Sequence, residues 1–499
     1  MFLELDNDGP RYAQLTRALK QAILSGRCAP LTRLPATRTL ARDLDLSRNT
    51  VLAAYEQLAA EGFIEGRVGS GCYVSAFAAP AAAAANAISF KPPQADSAVR
   101  KGPRREPRLA RRGQRMLQLY ETKIPGRQHR GVRYNLQYGL PMTNPQLASA
   151  WRRELSHAAA HMITDYPDPQ GLPALREQVR DYLARRRGIV ASVDDILIVS
   201  GTQQAFSLAA EVLLDEGDRV VIEDPHYQGA RQILQGAGAE LVGVRVDSDG
   251  LVAAELPDRG AVRLALVTPS HQFPTGAVLS LARRMELLGW AEKAGCWLIE
   301  DDYDGEFRYD ARPLAALKSL DRAGQVIYIG TFSKVLFPAL RLGYMVLPPR
   351  LRDAFVAAKW LTDRGCPGIE QAALARLMAT GAFERHLRAT AKVLKTRRAA
   401  LLASLRRHAG DAVQVADSSA GMHVLAWLPQ LRAQQVRELI DRARERGLGL
   451  YTIAPYYLKP QQRFGLLLGY ADLPPADLDA AMRIFGECLR EAASAVRAA

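Results

Sequence analysis

The residue types best suited to chemistry in this sequence lie in the run Thr331-Phe332-Ser333-Lys334, which ends an apolar strand, with Arg341 seven residues after the lysine. A lysine at a buried strand end is costly to desolvate unless its amino group reacts, for example as a Schiff base with an aldehyde cofactor. A phosphate on that cofactor needs hydroxyls and a bidentate cation, which Thr331, Ser333 and Arg341 supply. Taken alone, a lysine with a distant arginine is more often a surface pair, so the rest of the chain decides between these two interpretations.

A second candidate anion site follows the apolar strand that begins at Ile196. The run Ser200-Gly201-Thr202-Gln203 ends that strand and opens a helix. The free backbone N–H groups and the dipole at a helix N-terminus favour an anion. Thr202 and Gln203 are therefore predicted to form the second wall of the phosphate site.

A third motif, Glu300-Asp301-Asp302-Tyr303, ends another apolar strand. One of its carboxylates is placed to keep a pyridine nitrogen protonated, which maintains the ring as an electron sink, and Tyr303 is placed to bond a ring hydroxyl. Acidic strand ends also bind magnesium, and that alternative stays open on this motif alone. Tyr227, farther upstream, offers an aromatic face that can stack on the ring.

The elements that must position these groups are short apolar strands alternating with helical segments. β-Branched-rich runs occur at residues 196–200, 219–223, 241–246, 264–268, 296–300, 326–330 and 343–347. Continuous apolar strands separated by helices predict a mostly parallel sheet that is covered on both faces. Helices dominate after about residue 375, where a second, smaller α/β unit is predicted to begin.

The first 75 residues show a different pattern. Tyr12 begins an amphipathic helix, a short second helix is predicted from Thr37, and Ser47 is a good N-cap for a third helix that ends at Gly62. Two short strands then flank the Gly-rich tip at residues 67–71, which predicts an α+β winged helix-turn-helix. In such a module the first turn of the third helix enters the major groove of DNA. A protein-interaction module with the same elements is the alternative.

The chain has 499 residues and a formal net charge of +14, and most of the positive excess lies in one stretch. From Arg100 to Arg133 there are twelve Lys and Arg against two Glu. This stretch and the Ala-rich run before it have too few apolar residues to build a core. We therefore predict a basic flexible linker at 76–133, between a domain at 1–75 and one at 134–499. The linker is either a solvated tether or a tether that also contacts DNA phosphates.

Composition also excludes several classes of protein. No apolar run reaches the roughly 18 residues needed to span a membrane, and the N-terminal segment is acidic where a signal peptide is basic. The expected location is therefore the cytoplasm, with no membrane partner. The five cysteines are scattered and include no Cys-x-x-Cys pair, so neither a disulfide framework nor a metal site is predicted.

The N-terminal motifs resemble those of the GntR family of bacterial winged-helix regulators. The stretches that carry the resemblance are residues 34–41 (LPATRTLA), 46–51 (LSRNTV), Ala54-Tyr55 and Glu61-Gly62. The resemblance implies that Arg38 and Arg48 contact double-stranded operator DNA. It places five further residues near the DNA, namely Thr37, Ser47, Asn49, Thr50 and Gly69. Residues 29–31 depart from the usual Pro-Gly turn of the family.

The motifs of the second domain, with residues 166–171 (YPDPQG) and 270–276 (SHQFPTG), resemble those of fold-type-I aminotransferases in type and in order. Joined to a GntR-type winged helix, the whole chain resembles the MocR-type regulators, which bind pyridoxal 5'-phosphate and control transcription. The resemblance implies an α/β fold with a large domain at about 134–375, a small domain at about 376–499, and a homodimer.

The same resemblance assigns roles to single residues. It implies Lys334 as the Schiff-base lysine, Asp301 as the partner of the ring nitrogen with Asp302 as runner-up, and Tyr303 at the ring hydroxyl. The other implied contacts are a phosphate cup of Thr202, Gln203, Thr331, Ser333 and Arg341, with Tyr227 stacked on the ring and Tyr166 reaching across the dimer.

Two departures from the aminotransferase pattern bear on function. Phe273 stands where an asparagine usually touches the ring hydroxyl, and residues 466–470 (LLLGY) stand where an arginine usually holds the substrate carboxylate. Arg231 and Arg463 are the nearest candidates for that clamp. The leading hypothesis is a regulator that senses pyridoxal phosphate, an amine or amino acid, or their adduct. The alternatives are an active aminotransferase with an autoregulatory DNA-binding domain, and a vestigial cofactor site used only for dimerisation.

Overall fold

The computed structural model of the chain describes residues 3–67, 69–76, 107–120, 131–142, 144–161, 164–257, 262–309, 314–416, 418, 420–459, 461 and 463–497. The chain divides into two units, Met1–Glu106 and Pro107–Ala499. Among the described residues, no helix is long and apolar enough to cross a membrane.

The first unit has the helices and strands that its sequence predicts. Its elements are α1 (Arg11–Leu24), α2 (Thr37–Asp43), α3 (Arg48–Ala60), β1 (Ile64–Arg67) and β2 (Gly71–Val74). The predicted apolar stripe of α1 is buried, with Leu15 and Leu19 packed in one core with Val51 and Leu58 of α3. The antiparallel pair β1–β2 forms the hairpin. The unit is therefore a winged helix-turn-helix.

The second unit alternates helices with strands along the chain. Its strands are β3 (Tyr134–Asn135), β4 (Ile196–Val199), β5 (Arg219–Asp224), β6 (Glu240–Asp247), β7 (Gly250–Leu251), β8 (Val262–Val267), β9 (Trp297–Asp302), β10 (Val326–Thr331), β11 (Gly343–Val346), β12 (Gln414–Val415), β13 (His423–Trp427), β14 (Leu448–Gly449), β15 (Tyr451–Thr452) and β16 (Gly465–Gly469). Its helices are α4 (Arg111–Tyr120), α5 (Pro145–Ala160), α6 (Pro173–Arg187), α7 (Thr202–Leu213), α8 (Gln228–Ala237), α9 (Leu281–Ala294), α10 (Arg352–Asp363), α11 (Gly368–Ala379), α12 (Ala382–Ala409), α13 (Ala433–Glu445) and α14 (Pro475–Arg497).

The main sheet has eight strands in the order β4-β11-β10-β9-β8-β5-β6-β7. Strands β10, β9, β8, β5 and β6 run parallel, whereas β11 and β7 run antiparallel to their neighbours. All seven strands predicted from the apolar runs are present in this sheet. The predicted mostly parallel sheet is confirmed.

Both faces of the main sheet are buried, and the central strand β9 shows how this positions polar groups. Leu298 packs in one apolar cluster and Ile299 in another, because neighbouring residues of a strand point to opposite faces. Asp301 therefore shares the face of Ile299, and Asp302 shares the opposite face with Leu298. The two carboxylates at the end of β9 point to different surroundings.

A smaller antiparallel sheet, in the order β12-β13-β16-β15, lies in the C-terminal part of the second unit. Strands β13 and β16 pair along their whole length, from His423 opposite Gly469 to Trp427 opposite Gly465. The short strand β3, which is the first strand of the second unit, pairs in parallel with β14. The chain segment after β3 therefore runs beside the small sheet and reaches the site described below.

Helix α4 lies inside the segment predicted to be a flexible linker, much of which (77–106 and 121–130) falls outside the described residues. The helix packs on α8, where Gln232 Nε2 donates a hydrogen bond to Leu119 O at 3.1 Å. Arg115 Nη1 lies 2.5 Å from Glu216 Oε1. Residues 107–120 thus belong to the second unit. The sequence did not predict this ordered helix, because its arginines dominate the local composition.

Candidate functional site

A cavity in the second unit opens at the carboxyl-terminal ends of the parallel strands. Its lining joins the end of β9, the end of β10, the start of α7 and the start of β13. The lining residues are Tyr138, Gly139, Thr202, Gln203, Tyr227, Phe273, Asp301, Tyr303, Asp304, Thr331, Ser333, Lys334, Pro338, Arg341, Met422 and His423. The structure therefore brings together every residue that the sequence assigned to the cofactor except Tyr166.

Lys334 follows β10 and extends its amino group into this cavity. The Nζ atom donates a hydrogen bond to Gly139 O at 2.7 Å. Burial lowers the pKa of Lys334, while the carboxylates of Asp304 and Asp301 act in the opposite direction. A lowered pKa favours the neutral amine, which is the form that attacks an aldehyde.

Asp301 and Asp302 differ sharply in their surroundings. Asp302 forms a buried ion pair with Arg187 and accepts a hydrogen bond from Tyr328 Oη at 2.5 Å. Asp301 Oδ1 is buried and has no hydrogen-bond partner among the described residues. Burial, followed by Asp302 and Asp304, raises the pKa of Asp301 to about 8. The cavity therefore contains a buried carboxyl group with unused hydrogen-bonding capacity, and that group belongs to Asp301.

The opposite end of the cavity is suited to bind an anion. Arg341 Nη2 donates to Ser200 O at 2.7 Å, and Ser333 N donates to Thr331 Oγ1 at 3.2 Å. Gly201 adopts a φ of +82°, and a Cβ there would lie 3.3 Å from Arg341 Nη2. A side chain at this position would therefore crowd the guanidinium. The first backbone N–H groups of α7 have no partner within the helix, so they add donors at the same end.

Tyr227 and Tyr303 are held by side chains behind them. Gln203 Nε2 donates to Tyr227 Oη at 3.0 Å, which fixes the ring just before α8. Tyr303 Oη lies 2.9 Å from His271 Nδ1. Burial, followed by the Asp304 and Asp301 carboxylates, raises the pKa of Tyr303 well above its usual value. The phenol of Tyr303 therefore stays protonated and able to donate.

Three polar residues of the site were not assigned a role from the sequence. His271 Nδ1 lies 3.0 Å from both Asp304 carboxylate oxygens, and His271 Nε2 lies 3.1 Å from Ser418 Oγ. His423 Nε2 lies 3.1 Å from Pro274 O. The SHQFPTG and EDDYDG motifs contain His271 and Asp304, so a signal existed for these two. No local signal marks His423, which reaches the site through the small sheet.

Other predicted positions lie elsewhere or play a different part. Phe273 lines the cavity, as expected from its place in the motif, and packs at a right angle to Tyr303 with ring centroids 5.7 Å apart. Arg231 Nη1 donates to Tyr457 O at 3.3 Å, and the Arg463 guanidinium lies 4.4 Å from the centre of the Trp427 ring. Neither arginine lines the cavity, so the structure does not support either as a carboxylate clamp. Tyr166 is 74% exposed on the surface of the chain.

The first unit exposes the residues predicted to contact DNA. Arg38 lies in the first turn of α2 and Arg48 begins α3, and both are exposed. Ser47 caps α3, since Thr50 N donates to Ser47 Oγ at 3.0 Å. Asn49 and Gly69 are exposed, while Thr37 and Thr50 are half-buried. The structure thus leaves the first turn of α3 accessible to a partner.

Comparison with known proteins agrees with both halves of this architecture. Residues 11–74 match the family described as bacterial regulatory proteins, gntR family, and residues 136–483 match aminotransferase class I and II. The chain is 36% identical over 479 residues to the probable rhizopine catabolism regulatory protein MocR of Rhizobium meliloti, covering 95% of this chain and 93% of that protein. It is 32% identical over 496 residues to the HTH-type transcriptional regulator TauR of Rhodobacter capsulatus, covering 98% of each.

Among solved structures, the second unit is similar to kynurenine aminotransferase of Pyrococcus horikoshii. The match has a TM-score of 0.67 and 28% identity, and it covers 77% of this chain and 95% of that one. The aminotransferase fold is therefore joined in one chain to a GntR winged helix, as it is in the full-length regulatory relatives. The chain belongs to the MocR-type subfamily of the GntR family of bacterial transcriptional regulators.

Proposed function

We propose that this regulator binds pyridoxal 5'-phosphate through Lys334, uses the bound cofactor to capture an amine, and changes its affinity for operator DNA as a result. One observation carries the proposal. The Lys334 amino group lines the same cavity as the Asp301 carboxyl group, whose Oδ1 atom has no partner within the described part of the chain, and a cluster of anion-binding donors lies beside them.

The residues present fit this cofactor at three points. Asp301 Oδ1 is a buried acceptor that lacks a donor among the described residues, and a pyridinium N–H supplies one. Thr331, Ser333 and Arg341 offer the hydroxyls and the guanidinium that a phosphate requires. The Tyr227 ring is held in place by Gln203 and is available for stacking. The fit therefore extends to both ends and one face of the cofactor.

When bound, the cofactor supplies an aldehyde that exchanges amines and a ring that withdraws electrons. The protein's own groups set the conditions for that exchange. Lys334 holds its amino group in a buried setting that favours the neutral form, and Gly139 O orients it by accepting a hydrogen bond. The carboxylate of Asp301 stabilises a proton on the ring nitrogen. Tyr303, held against His271, donates toward the ring oxygen.

We propose that amine capture proceeds with little or no transaminase turnover. Turnover requires rigid alignment of the bond to be broken, and a misplacement of about 1 Å costs roughly a hundredfold in rate. Neither Arg231 nor Arg463 lines the cavity to hold a substrate carboxylate in that alignment. The relatives MocR and TauR are named as regulators, which supports a signalling role for this site.

A change in the cavity affects DNA binding only if the captured amine favours one arrangement of the protein over another. We propose that the protein acts as a homodimer, in which the exposed Tyr166 completes the site of the partner chain. Operator recognition then depends on the first turns of α2 and α3, where Arg38 and Arg48 are exposed.

The cofactor assignment is tested by spectroscopy and chemical trapping. The purified protein is incubated with pyridoxal 5'-phosphate, reduced with borohydride and mapped by peptide mass spectrometry. We expect the cofactor on Lys334, and we expect Lys334→Ala to stay folded but lose the visible absorption band. Lys395→Ala, which changes an exposed lysine of α12, is the matched control and should keep the band. Cofactor trapped on another lysine would refute the assignment.

A further inference from the structure

We infer that the amine captured by this cavity carries no carboxylate, and that its remaining polar groups are hydrogen-bond donors such as hydroxyls. This inference rests on the proposed function and specifies the chemical class of the effector. It follows from the charges and the hydrogen-bonding groups that line the cavity.

Neither cationic residue of the cavity is placed to pair with a carboxylate on the captured amine. Among the residues that the structure describes, Lys334 and Arg341 are the cationic side chains in the lining. An amine that takes the place of Lys334 on the cofactor's aldehyde releases the Lys334 amino group, and burial lowers the pKa of that group, which favours its neutral form. Arg341 lies at the anion-binding end beside Ser200. A carboxylate on the captured amine would therefore enter the cavity without a cation of its own.

The strand that carries the clamp in an aminotransferase is closed here by apolar packing and by backbone. Leu467 of β16 is fully buried in a cluster with Phe273, Leu425, Ile453 and Tyr456. At the end of the same strand, a Cβ at position 469 would collide with the carbonyl oxygen of Gln137. Strand β16 therefore presents apolar side chains and backbone beside Phe273, and none of its residues supplies a cation to the cavity.

Two polar side chains of the lining, those of Asp304 and His423, offer hydrogen-bond acceptors. Asp304 has two carboxylate oxygens, and the single N–H of His271 Nδ1 leaves acceptor capacity on them. Burial, followed by His271, lowers the pKa of His423 to about 4, so this ring is neutral near pH 7. A neutral His423 donates through Nε2 to Pro274 O, and its Nδ1 is then an acceptor.

A cavity that offers acceptors and has no cation to spare should distinguish strongly between a ligand with hydrogen-bond donors and a ligand with an anionic group. A buried charge that is left unpaired costs more than the ~1 to 3 kcal/mol of an unsatisfied neutral group, and the Asp304 carboxylate repels a second carboxylate. A hydroxyl, by contrast, donates to these acceptors. The geometry thus favours a hydroxylated amine over the amino acid with the same carbon skeleton.

The test compares matched pairs of amines on the protein loaded with pyridoxal 5'-phosphate. The probes are 2-aminoethanol against glycine and 2-amino-1,3-propanediol against serine, with the change in visible absorption as the readout. We expect each amino alcohol to bind at least about tenfold more tightly than its amino acid. Equal binding, or tighter binding of the amino acids, would overturn the inference.

A variant identifies the acceptor in the wall. His423→Phe should weaken 2-aminoethanol binding about 2- to 10-fold, the value of one hydrogen bond, and should leave glycine binding unchanged. His157→Phe, which changes an exposed histidine of α5, is the matched control. If His423→Phe does not fold, the wild-type comparison of the matched pairs still decides the effector class.

Failure of the inference and failure of the proposed function are distinguishable. A protein that takes up no cofactor shows no visible band before any amine is added, and this result overturns both. A loaded protein that responds to no amine contradicts the inference and the amine capture in the proposed function, and leaves only the cofactor assignment standing. A loaded protein that responds equally to both members of each pair overturns the inference alone.

Discussion

Two neighbouring carboxylates at the end of β9 are expected to respond to the same mutation in opposite directions. Asp301→Asn should stabilise the cofactor-free protein at pH 7, whereas Asp302→Asn should destabilise it. The reason is that Asp301 lies buried with an unpartnered oxygen, while Asp302 is paired with Arg187. Both substitutions keep the size of the side chain, so the difference between them reports on charge and pairing.

The magnitude for Asp301 follows from its pKa of about 8, against an ordinary value of 3.8. Between these two values the unfolded chain has lost the proton and the folded protein still holds it, so stability falls as the pH rises. Each pH unit in this window lowers the free energy of unfolding by about 1.4 kcal/mol, which amounts to roughly 4 kcal/mol at pH 7. An asparagine does not ionise and avoids this loss. For Asp302, breaking a buried ion pair costs about 3 to 5 kcal/mol.

The assay is urea unfolding of the cofactor-free protein between pH 5 and pH 8, followed by tryptophan fluorescence. All five tryptophans lie in the second unit, so this signal reports on the unit that contains β9. Three other buried carboxyl groups also titrate in this range, because burial raises the pKa of Glu223, Glu300 and Glu306 to about 7. Part of the pH dependence of the wild-type protein therefore remains in every variant. We expect Asp301→Asn to reduce the slope by about 1.4 kcal/mol per pH unit.

In the protein loaded with pyridoxal 5'-phosphate, Asp301→Asn should be unfavourable, because the cofactor then loses its ionised partner. An ionised acceptor on the ring nitrogen contributes about 1.5 to 3 kcal/mol, so Asp301→Asn should weaken cofactor binding roughly 10- to 150-fold. Identical pH slopes for wild type and Asp301→Asn, or a destabilised cofactor-free Asp301→Asn protein beside a neutral Asp302→Asn, would refute the assignment of Asp301 as the unpaired group.

Further predictions concern the winged helix. Arg48→Ala should weaken operator binding roughly 5- to 150-fold if its contact is to a base, and Arg38→Ala should also weaken it. Arg27→Ala, which changes an exposed residue in the turn after α1, serves as the control. Unchanged affinity in both test variants would remove these arginines from the interface. Ser47→Ala removes the cap that accepts from Thr50 N and should destabilise α3 by about 1 kcal/mol, seen as faster amide hydrogen exchange in that helix and not in α1.

Much of the fold was predictable because its signals are local. Seven strands of the main sheet are short apolar runs in the sequence. Strand β10 ends at Thr331, three residues before Lys334, as the motif predicts. The winged helix was predictable for a similar reason, since an apolar stripe, the Ser47 cap and a Gly-rich tip each indicate one element. Those signals depend on residues that are neighbours in sequence, so they need no knowledge of tertiary packing.

The features that the sequence left open or did not reveal depend on contacts between distant segments. The choice between Asp301 and Asp302 depends on which face of β9 meets Arg187, and both faces of that strand are buried. His423 reaches the cavity only because β13 pairs with β16 in the small sheet. Helix α4 is ordered by its packing on α8, which a composition rich in arginine conceals.

One titration shows directly whether amine capture at Lys334 alters DNA binding. A hydroxylated amine such as 2-aminoethanol is added to the loaded full-length protein, and absorption and operator affinity are measured on the same samples. We expect both signals to change with the same half-saturating concentration. We also expect that keto or aldehyde product does not accumulate, and that Lys334→Ala shows neither change. A spectral change with constant operator affinity, or rapid multiple turnover without an effect on DNA binding, would contradict it.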